Sequence, residues 1–245
     1  MLGRNKLSNL HVYYRISDAG NSKEKPPYIS ADTCFSNFMQ HVGKHAASIT
    51  IVADSVYPET LAMLENRAPQ AQISQIASRS GSIAFQTCAV SALSLEKSSV
   101  VYFVEDDYLH RSRSVEVLLE GLGLGGDFVT LYDHPDKYME PEEGGNPFCS
   151  GRSEETRVYL SRSCHWKETN STTMTFACRV KTLATAYPLM TEFLTKRMTQ
   201  SFKMFTRLRQ DGYRLLSPIP GFATHGESRW LTPLVDWQEV EAGKM

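Results

Sequence analysis

Neither sign of charge dominates: 26 Lys and Arg stand against 27 Asp and Glu, for a formal net charge of −1. The global basic field that phosphate-backbone binding exploits is therefore missing, and extended nucleic-acid contact is disfavoured. No stretch approaches the roughly 18 to 20 apolar residues of a membrane helix, and the polar start, residues 1–9, has no signal-peptide core. The reading is a chain without a membrane span, located in the cytoplasm. Cysteine is sparse: Cys34, Cys88, Cys149, Cys164 and Cys178 are odd in number, far apart and free of any CxxC pair, which speaks for reduced thiols. Internal repeats and long charge runs are absent, and the acidic, Gly-containing piece 140–145 reads as a loop. No Gly-rich phosphate loop with a lysine follows the first strand pattern.

What is present is an ordinary globular composition, 41% hydrophobic and 22% charged. Helix and strand periodicities alternate along the chain without a linker, so residues 1–245 read as one α/β domain. Strands are expected over 10–16, 48–53, 71–76, 99–104, 128–132, 157–160, 172–177 and 213–216. Helices are expected over 31–45, 58–66, 82–95, 114–122, 183–198 and 202–210. Turn residues Asp18-Ala-Gly20 close the first strand, residues 134–155 form a long irregular loop facing substrate, and the tail beyond Trp237 reads as exposed.

The chemistry concentrates in residues 104–108, Val-Glu-Asp-Asp-Tyr, which end the apolar run Val100-Val-Tyr-Phe-Val104. Such a run suits a central strand covered on both faces, and its carboxyl end is where ligands collect in open α/β sheets. Three successive carboxylates there repel one another unless a cation intervenes, and hard ions such as Mn²⁺ or Mg²⁺ accept carboxylate oxygens together with diphosphate oxygens and water. The plainer alternative is an acidic turn that caps the next helix.

The string Val-Tyr-Phe-Val-Glu-Asp-Asp-Tyr resembles the metal-binding DxD segment, in its Glu-Asp-Asp form, of GT-A glycosyltransferases, and it stands after about a hundred residues of alternating strand and helix, where those enzymes carry it. The resemblance extends more weakly to 202–215 and 218–237. It implies a GT-A-like (Rossmann-like) domain with a mixed, mostly parallel central sheet flanked by helices, its nucleotide-sugar half about 1–110 and its acceptor half about 111–237. It also implies that Asp107 binds the metal, that Asp106 contacts the donor ribose or a metal-bound water, and that Glu105 orients the pair. His225, in Pro220-Gly-Phe-Ala-Thr-His-Gly-Glu227, would reach the same metal; the alternative is a loop histidine bonded to its neighbours. By the same resemblance Arg15 and Asp18 would meet the base, with Asp54 and Arg79 close to the donor. Asp18 and Asp54 read equally well as caps.

Trp166, Trp230 and Tyr138 fall in segments expected on the acceptor side, where flat aromatic faces suit sugar rings. One departure is informative. Aligned on Arg207-Leu-Arg209 and Gly212-Tyr213, the Glu-Asp of inverting GT-A enzymes becomes Gln200-Ser201, and serine cannot deprotonate an acceptor hydroxyl. Glu192, Asp133 or His134 would then supply the base, or the reaction is retaining, or the chain is impaired at Ser201. The expectation is a metal-dependent transferase that moves a hexosyl or pentosyl group from a nucleotide-diphosphate sugar to a glycan or other hydroxyl-bearing acceptor. A catalytically silent nucleotide-sugar-binding module and a nucleotidyltransferase with a similar sheet are the alternatives.

Overall fold

Strand β1 (Leu10–Ile16) buries Leu10, Val12, Tyr13, Tyr14 and Ile16, a density that only a strand covered on both faces can satisfy. In the computed structural model, which describes residues 9–19, 23–196 and 199–244, it lies inside a nine-stranded sheet of order β3-β2-β1-β4-β9-β6-β10-β8-β7. The strands are β2 (Ser48–Asp54), β3 (Gln72–Ile76), β4 (Val100–Glu105), β6 (Phe128–Val129), β7 (Val158–Leu160), β8 (His165–Thr169), β9 (Phe176–Arg179) and β10 (Leu215–Ile219). Strands β1 to β4 pair in parallel, and β6 pairs in parallel with β10. Only β9 and β8 run against the rest. A separate two-stranded ribbon joins β5 (Tyr108–His110) to β11 (Ala223–His225).

Helices cover both faces. On one, α1 (Ala31–His41), α2 (Pro58–Arg67) and α4 (Ser114–Gly123) bury Phe35, Phe38, Leu64, Val115 and Leu118 against Tyr14, Tyr102 and Trp166. On the other, α3 (Gly81–Ala92), α5 (Val180–Thr191) and α6 (Ser201–Gln210) enclose Phe103, Phe128 and Phe176 with Phe85, Leu183 and Phe205. Helix starts follow local chemistry: Ser30 and Thr33 form a capping box on α1, Pro58 occupies the first turn of α2, and the Ser80 hydroxyl accepts from Ile83 N–H at α3.

Several expectations need correction. Strand β8, His-Trp-Lys-Glu-Thr, lacks apolar alternation and escapes the pattern, although Trp166 is fully buried. That burial, against Gly121, removes Trp166 as a sugar platform. Strand β9 is displaced toward the C-terminus, over Phe176–Arg179, and β6 keeps only Phe128–Val129, with Tyr132 in a single bridge to Ala223. Strand β10 continues through Pro218, because β6 pairs only with Leu215 and Leu216, so the ladder is one-sided where the proline lacks a donor. The tail beyond Trp237 is exposed at Gln238 and residues 242–244 but not throughout: α7 (Trp237–Glu241) buries Trp237 and Val240 with Ile29, Cys34 and Leu109. Gly20 of the first turn, and Met198 at the end of the helix expected over 183–198, lie outside the described residues. Among the described residues no helix is long and apolar enough to cross a membrane, and all five cysteines are free.

Candidate functional site

Strand β4 carries the chain to the carboxyl edge and ends at Glu105, so Asp106 and Asp107 fall in the turn before β5. The ribbon then brings in a residue more than a hundred positions away, because β11 pairs with β5 in a register that sets His225 opposite Tyr108. Two contacts fix this ribbon. The buried Asn37 amide accepts from His110 N–H at 2.6 Å and donates to the His110 carbonyl at 3.0 Å, so α1 holds the strand by both backbone groups. Gly226 N–H donates to the Asp107 carbonyl at 2.7 Å, an approach that leaves no room for a side chain.

His225 Nε2 thus lies 3.3 Å from Asp107 Oδ2, and Lys25 Nζ lies 3.1 Å from the same oxygen. Behind the imidazole, Nδ1 faces Glu227 Oε1 at 3.4 Å, and Glu227 is paired in turn with Lys23. Burial disfavours charge on Asp107, but the adjacent His225 and Lys25 hold its carboxyl below the usual carboxylate range. Burial likewise works against a charged His225, yet Asp107 raises it overall. Burial and then the Asp107 charge push Asp106 upward, against a 2.9 Å hydrogen bond from Ser17 N–H.

An octahedral Mg²⁺-sized ion with ligands at about 2.1 Å holds neighbouring donor atoms about 3 Å apart. The 3.3 Å separation of Asp107 Oδ2 and His225 Nε2 fits two such neighbours, and Glu227 behind Nδ1 is the outer-shell carboxylate that turns the other nitrogen toward an ion. Among the described residues no three His, Cys, Asp or Glu side chains converge as a metal site. The protein offers a pair of ligands that suits an ion completed by diphosphate oxygens and water. Glu105 is not brought to that pair: it faces Arg15 at 3.5 Å and accepts from Thr175 Oγ1 at 3.2 Å.

A cleft of about 510 Å³ opens over these residues and extends to Arg15, Asp18, Asp54, Arg79 and Gly81. Arg15 is buried, donates to the Met174 carbonyl at 3.0 Å and lies over the Phe85 ring. Asp18 accepts from Tyr57 N–H at 2.6 Å. Asp54 accepts from the backbone N–H groups of Ser78, Arg79 and Ser80 and from the Ser55 and Ser78 hydroxyls, which hold its carboxyl low despite burial. It shapes the turn that sets Arg79 at φ 50°, with the arginine side chain exposed at the rim.

Outside the residues that line the cleft, Asp133 is buried in an ion pair with Lys167 Nζ at 2.9 Å and accepts from Tyr138 OH at 2.8 Å. His134 packs between Tyr132 and Trp230, and its Nδ1 lies 2.9 Å from Asp136 Oδ1 and 3.1 Å from Asp136 N, so the acceptor-only carboxylate favours a proton on Nδ1 and leaves Nε2 as the acceptor nitrogen. Glu192 is the exposed C-cap of α5, and its carboxylate makes no hydrogen bond to another described residue. Ser201 opens α6, whose Phe205 meets Phe176 and Phe128 while the helix runs down to β10, so Ser201 begins on the carboxyl-edge side. Lys23, Lys25 and Glu227 escape sequence reasoning. The available signal is the alternation Lys-Glu-Lys in the loop after β1, on the edge where the acids emerge.

No protein-family model and no curated protein matches the sequence. Solved structures do match its fold. GalNAc-T7, crystallised with UDP, GalNAc and Mn²⁺, superposes with a TM-score of 0.57 at 12% identity over 89% of this chain. TarS 1–349 of S. aureus superposes at 0.50 and 12% identity over 85%. The chain spans 43% of the first and 57% of the second. The fold of this chain is that of the GT-A-like glycosyltransferases.

Proposed function

We propose that this chain binds a nucleotide-diphosphate sugar in the carboxyl-edge cleft, with a divalent cation held by Asp107 and His225, and transfers the sugar to a hydroxyl-bearing acceptor. The observation that carries the reading is the 3.3 Å approach of these two side chains inside a cleft lined by the loops after β1, β2, β3 and β4. Residues up to about 110 form the donor half and those from about 111 to 237 the acceptor half. Bound Mn²⁺ or Mg²⁺ would supply Lewis-acid neutralisation of the charge that grows on the departing diphosphate.

The chain's own residues complete the work. Glu227 fixes the imidazole, and Asp106, with Ser17 N–H on its Oδ2, stands beside Asp107 to face the ribose. Arg79 projects from the rim toward the phosphates, on a turn that Asp54 holds, while Arg15 supports the floor. Of the candidate bases, Asp133 is neutralised by Lys167, whereas His134, its Nδ1 held 2.9 Å from the Asp136 carboxylate, keeps Nε2 as an acceptor. The Glu192 carboxylate makes no hydrogen bond to another described residue, and Ser201 leaves the α6 start without a carboxylate. Trp230, tilted against His134 and with the Arg229 guanidinium 4.8 Å over its ring, is an aromatic residue on the proposed acceptor side.

Incubation with a panel of nucleotide sugars and Mn²⁺ tests the reading. Release of nucleoside diphosphate from one donor, abolished in Asp107→Ala, is expected. Binding of a nucleotide sugar without any turnover would instead favour a silent binding module.

A further inference from the structure

The cleft contains a cation of its own. We propose that Lys25 is an exchangeable counter-ion: it neutralises Asp107 Oδ2 in the protein without divalent cation, and passes to the donor diphosphate when that oxygen is taken by the metal. The inference rests on the metal-dependent reading above and adds a residue that the reading leaves unused.

Four observations support it. The ammonium lies 3.1 Å from Oδ2, the same oxygen that faces His225 Nε2, so it stands on the atom a metal would need. The Asp107 side chain is only 16% exposed, and a carboxylate so enclosed requires a nearby positive charge. Lys25 makes no other ion pair or side-chain hydrogen bond to a described residue, so its departure breaks no network. Its backbone is anchored on either side: Ile29 N–H donates to the Pro26 carbonyl at 2.9 Å and Ser228 N–H to the Glu24 carbonyl at 3.0 Å. Exchange therefore needs only rotation of the flexible four-carbon stem, which suits a hydrated ammonium far better than a guanidinium.

Charge decides the order of events. Among the side chains lining the cleft, Arg15, Lys23, Lys25 and Arg79 are cationic, whereas Asp18, Asp54, Glu105, Asp106, Asp107 and Glu227 are anionic. Counted formally, with every carboxylate ionised and His225 neutral, the balance is −2, which disfavours a diphosphate. A divalent cation at Asp107 brings the balance to zero and frees the Lys25 ammonium at the place where phosphate oxygens arrive. Lys23, paired with Glu227 one residue pair away, stays at the mouth.

The proposal sets two affinities moving in opposite directions. In Lys25→Met, calorimetry with Mn²⁺ alone should show affinity raised about threefold to tenfold, because a competitor for Oδ2 has gone. Inorganic pyrophosphate titrated at saturating Mn²⁺ should bind about tenfold more weakly. A purely structural ion pair would leave both unchanged or weaken both, and either result would overturn the exchange. The wild-type protein provides a second test that does not depend on the variant folding. Acetylation of Lys25, followed by mass spectrometry, should accelerate when Mn²⁺ is added and slow again on addition of pyrophosphate. An unchanged labelling rate contradicts the proposal. Mn²⁺ binding in wild type with the same affinity in Lys25→Met removes the exchange alone, whereas no Mn²⁺ binding by either protein removes the metal-dependent function with it.

Discussion

Gly226→Ala is the substitution whose effect the geometry states most sharply. A Cβ at Gly226 would lie 2.7 Å from Ile29 Cγ2 and 2.8 Å from the Asp107 carbonyl oxygen. Carbon contacts are comfortable near 3.5 to 4 Å, so both gaps must open by roughly half an ångström or more. Ile29 is buried against α7, and the carbonyl belongs to the Asp106–Asp107 turn, so the end of β11 has to back away. That motion lengthens the 2.7 Å Gly226–Asp107 hydrogen bond and the 3.3 Å His225–Asp107 approach together. Overpacking of this kind costs about 1–3 kcal/mol. A misplacement on the order of 1 Å at a reacting centre costs up to about a hundredfold. Urea denaturation should show the stability loss, and Mn²⁺ calorimetry a drop of about tenfold or more. Gly81→Ala is the control, since its Cβ meets no atom within 4 Å in the same cleft, and it should match wild type or exceed it. If Gly226→Ala denatured and bound Mn²⁺ like wild type, the ribbon would not be what positions His225.

Three further outcomes are expected. Asn37→Leu leaves both backbone groups of His110 unpaired in the interior and should cost about 2–4 kcal/mol by urea denaturation while weakening Mn²⁺ binding; a loss confined to stability would separate α1 from the site. Burial lowers His110 from 6.5 to about 3, so the unfolded chain binds a proton that the folded one refuses, and the associated stability is intact above pH 6.5 and lost as pH falls toward 3. By pH 4 that is on the order of 3 kcal/mol, and urea midpoints between pH 7 and 4 should fall more steeply for wild type than for His110→Phe; parallel slopes would contradict it. Ser201→Asp places a carboxylate at the N-terminal turn of α6, should fold with stability equal to or slightly above wild type, and should raise transfer about 10² to 10⁴-fold if the chain is an inverting enzyme impaired at Ser201; a flat rate, with product anomer analysis, assigns the reaction to His134 or Glu192 as base or to a retaining course.

The parts of the fold that could be read in advance are those in which one residue run carries its own signal. Val100–Glu105 is apolar without interruption because both faces are covered, and α6 shows its buried Met204, Phe205 and Leu208 at helical spacing. Strand β8 hides because Trp166 and Lys167 are both buried, one in the core and the other in an ion pair, so no alternation survives. The β5–β11 ribbon is too short to show a period, yet its register sets His225 opposite Tyr108 and so beside Asp107. Lys25 shows only the Lys-Glu-Lys alternation and Glu227 no pattern, since their meaning comes from Asp107 and His225 across the cleft. Asp133 illustrates the reverse: a carboxylate after a strand looks available in sequence, and only the fold reveals Lys167 upon it.

The central claim is that Asp107 ties nucleotide binding to a divalent cation. Isothermal titration of UDP, GDP and related nucleoside diphosphates into wild type and Asp107→Ala, with Mn²⁺ and again with chelator, tests it directly. The account predicts that one of these nucleotides binds wild type at least tenfold more tightly with Mn²⁺ and that the gain disappears in Asp107→Ala. Equal affinity in chelator, or a Mn²⁺ gain that survives the substitution, would contradict it.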